Sequence, residues 1–263
     1  MTDLRGKVAL ITGSGRGLGR AYAEHLAKLG AAIAVHDVTE TAPAEYDEAE
    51  NLAAVAAAIR EHGVRVCTVT GDLRRAETVD AIVAAVNEQL GPIDILVNNA
   101  GGDIAERGGK PKPNDAIGIP AEDVQAIIDR NLTATIHCCR AVAPQMMERR
   151  AGRIINISSV AGLSAVTDGV VYGAAKAGII HYTRCLAKQL RPYGVTANCI
   201  APGPTVTARF LATRYVSPEA LKGGEGLDRL GRTEDLARVV EFLVSDLAAF
   251  VSGEVIAVDG GRK

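Results

Sequence analysis

The chain has 263 residues, close to half of them apolar, and 29 basic side chains against 31 acidic ones leave a formal net charge of −2. That balance provides no electrostatic footprint for nucleic acid or a membrane surface, and with no Trp, six Tyr and three Phe there is little for bases to stack on. No apolar run approaches the ~20 residues that cross a bilayer. No signal-peptide pattern opens the sequence either, so a soluble, cytoplasmic protein is the expectation.

In chain order, residues 8–12 read as a first strand, and Thr12-Gly13-Ser14-Gly15-Arg16-Gly17-Leu18-Gly19 follows at once, opening a helix over residues 18–29. The spacing that fits is Thr-Gly-x-x-x-Gly-x-Gly, on Gly13, Gly17 and Gly19. Glycines in such a turn let backbone amides and the helix amino end approach a pyrophosphate. A second strand, 32–37, ends in Asp37, whose carboxylate can accept from adenine-ribose hydroxyls and repel a 2′-phosphate. Arg16 pulls the other way, toward a 2′-phosphate. No basic residue follows Asp37, so NAD is preferred over NADP. His36 reads as a packing or rim residue.

Residues 38–50 form an acidic connection, followed by a helix over 49–62 and a strand over 64–70. Asp72, with Leu73 beside it, can accept from the adenine amino group; a helix cap is the other reading of Asp72. A helix over 76–90 leads to a strand over 93–98 that runs into Asn98-Asn99-Ala100-Gly101, small residues that leave room for a cofactor. Residues 101–120 are rich in glycine and proline, and long loops of this kind are usually functional. They carry Arg107, Lys110 and Lys112, but Asp103, Glu106 and Asp115 share the loop, so a solvated loop competes with an acid-binding one.

A long helix is expected over 121–150, carrying Asn131, then a strand over 153–158 ending in Ser158-Ser159. The next helix, 172–190, opens with Tyr172 and Lys176, four apart and therefore on one face. A fixed cation beside a phenol favours the phenolate and moves its pKa toward the working range. A strand over 195–201 ends at Pro202-Gly203. An irregular stretch, 203–232, contains Thr205, Thr207, Arg209 and Arg214 before the last helix (233–245) and strand (254–258). Five cysteines, an odd number without a Cys-x-x-Cys pair, lie in apolar segments and read as small hydrophobes. Alternation of strand and helix implies one α/β domain over residues 1–263: a Rossmann-type doubly wound parallel sheet of about seven strands, helices on both faces.

Taken together, Thr12–Gly19, Asp72, Asn98–Gly101, Asn131, Ser158-Ser159, Tyr172/Lys176, Pro202-Gly203 and the closing Val255-Ile256-Ala257-Val258-Asp259-Gly260-Gly261 resemble the short-chain dehydrogenase/reductase family over essentially the whole chain. The resemblance implies that Tyr172 is the acid/base and that Lys176 tunes it and holds the nicotinamide ribose. It selects Ser159 over Ser158, and makes Asn131 the residue whose backbone holds a water linking Lys176 to solvent. It also implies that the Thr205 backbone and the Thr207 hydroxyl anchor the carboxamide. No metal is implied. Residues 101–120 and 203–232 become the cleft wall and lid, with Arg209 or Arg214 as possible substrate contacts. Relatives assemble through the two long helices, so a homotetramer is expected, with Ile136, Cys139, Val142, Met146, Ile179, Ile180 and Leu186 as apolar positions. The leading expectation is NAD-dependent oxidation of a secondary alcohol such as a sugar, polyol or cyclic alcohol. The alternatives are an NADPH-dependent carbonyl or 3-oxoacyl-thioester reductase and a dinucleotide-binding protein without catalysis.

Overall fold

The computed structural model describes residues 2–224 and 226–262, so residue 225 of the predicted lid lies outside it. Seven strands form one sheet: β1 (Val8–Ile11), β2 (Ala32–Asp37), β3 (Val66–Thr70), β4 (Ile95–Asn98), β5 (Gly152–Ile157), β6 (Val195–Pro202) and β7 (Val255–Val258). Their spatial order is β3-β2-β1-β4-β5-β6-β7, every pair parallel. The order reverses between β1 and β4, which opens a crevice beyond their carboxyl ends.

The helices are α1 (Gly17–Lys28), α2 (Leu52–Arg60), α3 (Ala76–Leu90), α4 (Ala121–Ile128), α5 (Ala134–Arg149), α6 (Val170–Leu190), α7 (Ala208–Thr213), α8 (Pro218–Lys222) and α9 (Thr233–Val244). They cover both faces, and the alternation of side chains along β1 shows how. Leu10 joins a core with Val79 and Ile82 of α3, Val142 and Met146 of α5 and Leu186 of α6. Ala9 and Ile11 point into the other core, with Leu26 of α1, Val55 of α2 and Val240 of α9. All four residues of β1 are buried, as a strand sandwiched between helix layers requires.

Several elements depart from the sequence reading, and the stretch read as irregular over 203–232 holds two short helices, α7 and α8. The second helix begins at Leu52, not at 49, because the Asn51 side chain caps it by accepting from the Ala54 amide at 2.9 Å. The acidic connection before it holds a 3₁₀ turn, Ala42–Tyr46. The long helix expected over 121–150 is interrupted by a π turn, Asp129–Thr133, between α4 and α5.

The residues that carried the assembly expectation also change meaning. Cys139, Val142, Met146, Ile179, Ile180 and Leu186 are buried within the chain, in the cores that seat α5 and α6 on the sheet. Ile136, the seventh of them, is only partly buried. Four cysteines are buried as expected of small hydrophobes, whereas Cys185 is exposed. Among the described residues, no helix is long and apolar enough to cross a membrane.

Candidate active site

The carboxyl ends of β1, β4, β5 and β6 bring the predicted site residues to one crevice. Lys176 of α6 is buried, and its Nζ donates to the Ile157 carbonyl at 2.8 Å. The same Nζ lies 5.5 Å from the centre of the Tyr172 ring. Ser159, just past β5, accepts from the Ala161 amide at 3.2 Å through its Oγ and stands beside the Tyr172 phenol. Ser158 is committed elsewhere: buried, it donates to the Lys176 carbonyl at 2.8 Å and so pins α6 to the end of β5.

Burial dominates the ionisation of both Tyr172 and Lys176. Burial pushes Tyr172 above the ordinary tyrosine range, with the neighbouring Ser159 hydroxyl and the Arg209 charge acting against it. Burial drives the Lys176 ammonium down to about 8, because desolvation costs the charged form most. Both groups therefore lean toward their neutral forms, and the net displacement of the phenol is upward.

Asn131 sits in the π turn, fully buried. Its Nδ2 donates to the Gly102 carbonyl at 3.0 Å and the Ile127 carbonyl at 2.8 Å, while its Oδ1 accepts from the Gly102 amide at 2.9 Å. These bonds hold Gly101 and Gly102 against Lys176: a Cβ at Gly101 would lie 2.5 Å from Asn131 Oδ1 and 3.5 Å from Lys176 Nζ. The Asn131 carbonyl accepts from the Thr135 hydroxyl at 2.8 Å. A π turn at a functional site is a recurring use of that otherwise uncommon geometry.

The glycine turn has the close approaches that a dinucleotide cradle requires. A Cβ at Gly19 would fall 2.1 Å from the Gly13 carbonyl oxygen and 2.5 Å from Asn99 Nδ2. Gly13 and Gly17 have φ of +63° and +55°, where side chains are strained. Asn99 ties the turn to β4 by donating to the Thr12 and Gly13 carbonyls, and Thr12 Oγ1 accepts from the Asn99 and Ala100 amides. Leu18 packs into the core beside α1. Gly15, not among the three glycines of the motif, is also closely approached. A Cβ there would lie 2.8 Å from Asp37 Oδ2 and 3.0 Å from Pro43, so the turn runs directly under the buried Asp37 carboxylate.

Arg16 does not reach out for a phosphate. It pairs with Glu45 at 2.7 Å and lies 4.7 Å over the Tyr46 ring. Glu48 Oε2 accepts from the Gly17 amide at 2.8 Å, taking one of the donors a diphosphate would use, and Glu48 Oε1 is buried without a partner. Sequence reading missed this residue; four glutamates in the connection were its signal. His36 is more than packing. It is buried, accepts from the Gly13 amide at Nδ1 (3.2 Å) and so donates from Nε2 to the Gly71 carbonyl (3.1 Å). Burial holds its pKa below the ordinary value, which keeps the neutral tautomer those two bonds need.

Asp72 is not a helix cap, since Arg75 occupies that position of α3; its carboxylate instead holds the Arg74 amide and guanidinium. Leu73 is buried, and its carbonyl meets His137 Nδ1 at 3.2 Å. Pro202 ends β6, and the amide of Gly203 just beyond it donates to the Val258 carbonyl. The Thr205 hydroxyl donates to the Gly203 carbonyl at 2.9 Å, and the Thr207 hydroxyl caps α7 by accepting from the Phe210 amide at 3.1 Å. The Thr207 methyl faces Gly17, 3.7 Å from where a Cβ would stand, so lid and glycine turn meet over the crevice. Arg209 of α7 crosses it and lies over Gly102, its Nη1 3.4 Å from the Gly101 carbonyl. Arg214 instead stacks 5.1 Å over Phe210.

A family model described as short chain dehydrogenase matches residues 7–215. Cyclohexanol dehydrogenase of Rhodococcus sp. (strain TK6) is 43% identical, over 99% of this chain and 98% of that protein. The 3-oxoacyl-[acyl-carrier-protein] reductase of Synechocystis sp. is 36% identical over 99% and 98%. Among solved structures, a 7α-hydroxysteroid dehydrogenase complexed with NADH and 7-oxo glycochenodeoxycholic acid superposes with a TM-score of 0.84 at 30% identity, covering 98% of this chain and 95% of that one.

Proposed function

The chain belongs to the short-chain dehydrogenase family of NAD(P)-linked oxidoreductases, and from that premise we propose that it is an NAD-dependent dehydrogenase of secondary alcohols. The observation that carries the reading is the Tyr172 phenol beside the Ser159 hydroxyl with Lys176 Nζ 5.5 Å from its ring. Such a constellation can move a proton to or from an alcohol oxygen and does nothing evident for a protein that only binds. Likeness to a cyclohexanol dehydrogenase supports a cyclic alcohol among the substrates.

The residues divide the work by position. Ser159 holds the substrate oxygen next to the phenol, and Tyr172 takes the hydroxyl proton in oxidation or returns it in reduction. Lys176, fixed by Ile157, steadies the charge that develops on Tyr172. Asn131 fixes Gly101 and Gly102 beside Lys176, where the missing Cβ atoms leave room for a ribose. Bound NAD supplies the hydride acceptor and a positive charge beside the phenol. The glycine turn, whose cradle a Cβ at Gly15 or Gly19 would fill, holds the diphosphate.

Preference for NAD over NADP is supported by two side chains. Asp37 is buried at the tip of β2 where an adenine ribose is read, and Arg16 is already engaged by Glu45 and Tyr46. A homotetramer belongs to the same proposal, with exposed Leu247 and Phe250 as apolar surface for contact; a monomer in light scattering removes it.

Replacement of Tyr172 by Phe tests the chemistry. Turnover of cyclohexanol with NAD should fall by about 10²–10⁴ while NADH still binds, because a proton-transfer group is worth that much. Survival of more than about a percent of the rate removes Tyr172 from its role. Comparing NAD with NADP at equal concentration tests the cofactor preference, and faster turnover with NADP overturns it.

A further inference from the structure

The lid carries a guanidinium into the crevice with no acid to hold it. Arg209 is the second residue of α7, and its half-buried side chain crosses to the wall that follows β4. A Cβ at Gly102 would lie 2.5 Å from its Nη1 and 2.7 Å from its Nη2, so the guanidinium uses space that only a glycine leaves open. The side chain's single hydrogen bond is a long one, from Nη1 to the Gly101 carbonyl at 3.4 Å. Its Nε and Nη2 have no acceptor among the described residues, and neither atom is sealed from solvent.

Other half-buried arginines are paired: Arg20 with Glu24 at 2.8 Å, Arg149 with Asp94 at 2.7 Å and Arg229 with Asp235 at 2.7 Å. Asp103, next to Gly102, does not pair with Arg209. Its Oδ2 is held by Asn114 Nδ2 at 2.7 Å and has Lys110 Nζ at 4.0 Å. A fork of donors partly withdrawn from water and left without a carboxylate calls for an anion from outside the chain.

Gly101 fixes where that anion stands relative to the chemistry. Its carbonyl meets Arg209 on one side, and the place of its missing Cβ is 3.5 Å from Lys176 Nζ on the other. Lys176 Nζ in turn lies 5.5 Å from the Tyr172 ring. The guanidinium charge reaches both groups, opposing the effect of burial on Tyr172 and adding to it on Lys176. We propose that Arg209 is the specificity residue of the cleft and binds a carboxylate of the substrate, a two-pronged contact that neutral alcohols cannot make. The preferred substrates are then hydroxy acids, with the acid group a few bonds from the carbon being oxidised. This rests on the dehydrogenase reading above. The cofactor diphosphate is the other anion of the crevice, and the experiment separates the two.

The test uses pairs that differ in charge and hardly in shape: 3-hydroxybutyrate against 3-hydroxybutyramide, and 3-hydroxycyclohexanecarboxylate against its amide, with cyclohexanol as a neutral reference. Wild type should favour the acid in kcat/KM by roughly tenfold to a hundredfold, the range for hydrogen bonds to a charged group. In Arg209→Met the ratio should fall to about one, chiefly through the KM of the acid, while the Kd for NADH in fluorescence titration stays within about twofold. Arg209→Lys should retain part of the preference, because an ammonium keeps the charge and loses the fork. Each ratio is read within one preparation, so any misfolded fraction cancels. Three results overturn the assignment: a wild-type ratio near one, a preference for the acid that survives in Arg209→Met, or weaker NADH binding in that variant with the ratio unchanged. If cyclohexanol is still oxidised, the dehydrogenase reading outlives them. Failure to oxidise any of these compounds with NAD or NADP sinks both.

Discussion

Replacing Lys176 by Met should make the protein inactive and, at neutral pH, more stable. Methionine fills the volume of the lysine stem without a charge to desolvate. The Lys176 ammonium is lowered from 10.5 to about 8 by burial, a displacement of roughly two and a half pH units that corresponds to about 3 kcal/mol. The sign follows from proton counting. Between pH 8 and 10.5 the unfolded chain holds the proton and the native one does not, so raising pH stabilises the native state. Against this, Met forfeits the bond to the Ile157 carbonyl, a loss of about 1 kcal/mol at any pH. The variant should therefore be more stable than wild type by about 2 kcal/mol at pH 7, and the advantage should vanish as pH approaches 10. Urea midpoints of both proteins, at one protein concentration and at several pH values from 7 to 10, measure the difference. The difference cancels the titrations of groups remote from Lys176. Parallel stability curves would refute the claim that native Lys176 carries a buried and costly charge.

The cradle offers a second perturbation: Gly19→Ala puts a methyl into the Gly13 carbonyl and Asn99, and should cost about 1–3 kcal/mol of stability and weaken NADH binding. An unchanged urea midpoint would mean that the turn can yield. Asn131→Ala removes three hydrogen bonds at a fully buried site and should cost about 3 kcal/mol along with most turnover; a loss of activity without loss of stability would contradict its anchoring of Gly102. Glu48→Ala frees the Gly17 amide and removes a negative charge from the cradle, so the Kd for NAD should fall by roughly tenfold in calorimetry. An equal or weaker affinity would show that Glu48 gives way at no cost.

Most of the fold was legible because burial on both faces leaves a strong pattern. Strands such as Val8–Ile11 are unbroken apolar runs, and α3 and α9 have periodic apolar stripes whose ends the sequence marks well. The chemistry was legible for a different reason: Tyr172 and Lys176 are local in sequence, and a helix alone brings them together. Contacts between distant segments were not. Glu48 on Gly17, Arg209 over Gly102 and Asn114 on Asp103 depend on how loops return to the crevice, and no periodicity encodes that. His36 looked like packing because its two bonds go to backbone atoms that composition does not reveal. Ile179 and Leu186 were legible only as apolar positions, and that they face the core follows from α6 being embedded in the fold over much of its circumference.

The π turn at Asp129–Thr133 bears on which changes in length this chain can absorb. A π turn amounts to one residue added to an α-helix, the surplus being taken up by a single wider loop of backbone. Shortening the chain by one residue there would let the turn relax into ordinary α-helix, and the apolar stripes of α4 and α5 would stay in phase with the sheet. The same deletion a few residues later, within α5, would rotate everything beyond it by about 100° and turn Val142 and Met146 away from the core. Among the long helices, this turn is therefore where natural length variants should survive as folded proteins. They would survive as inactive ones, because the residue that the surplus sets in place is Asn131.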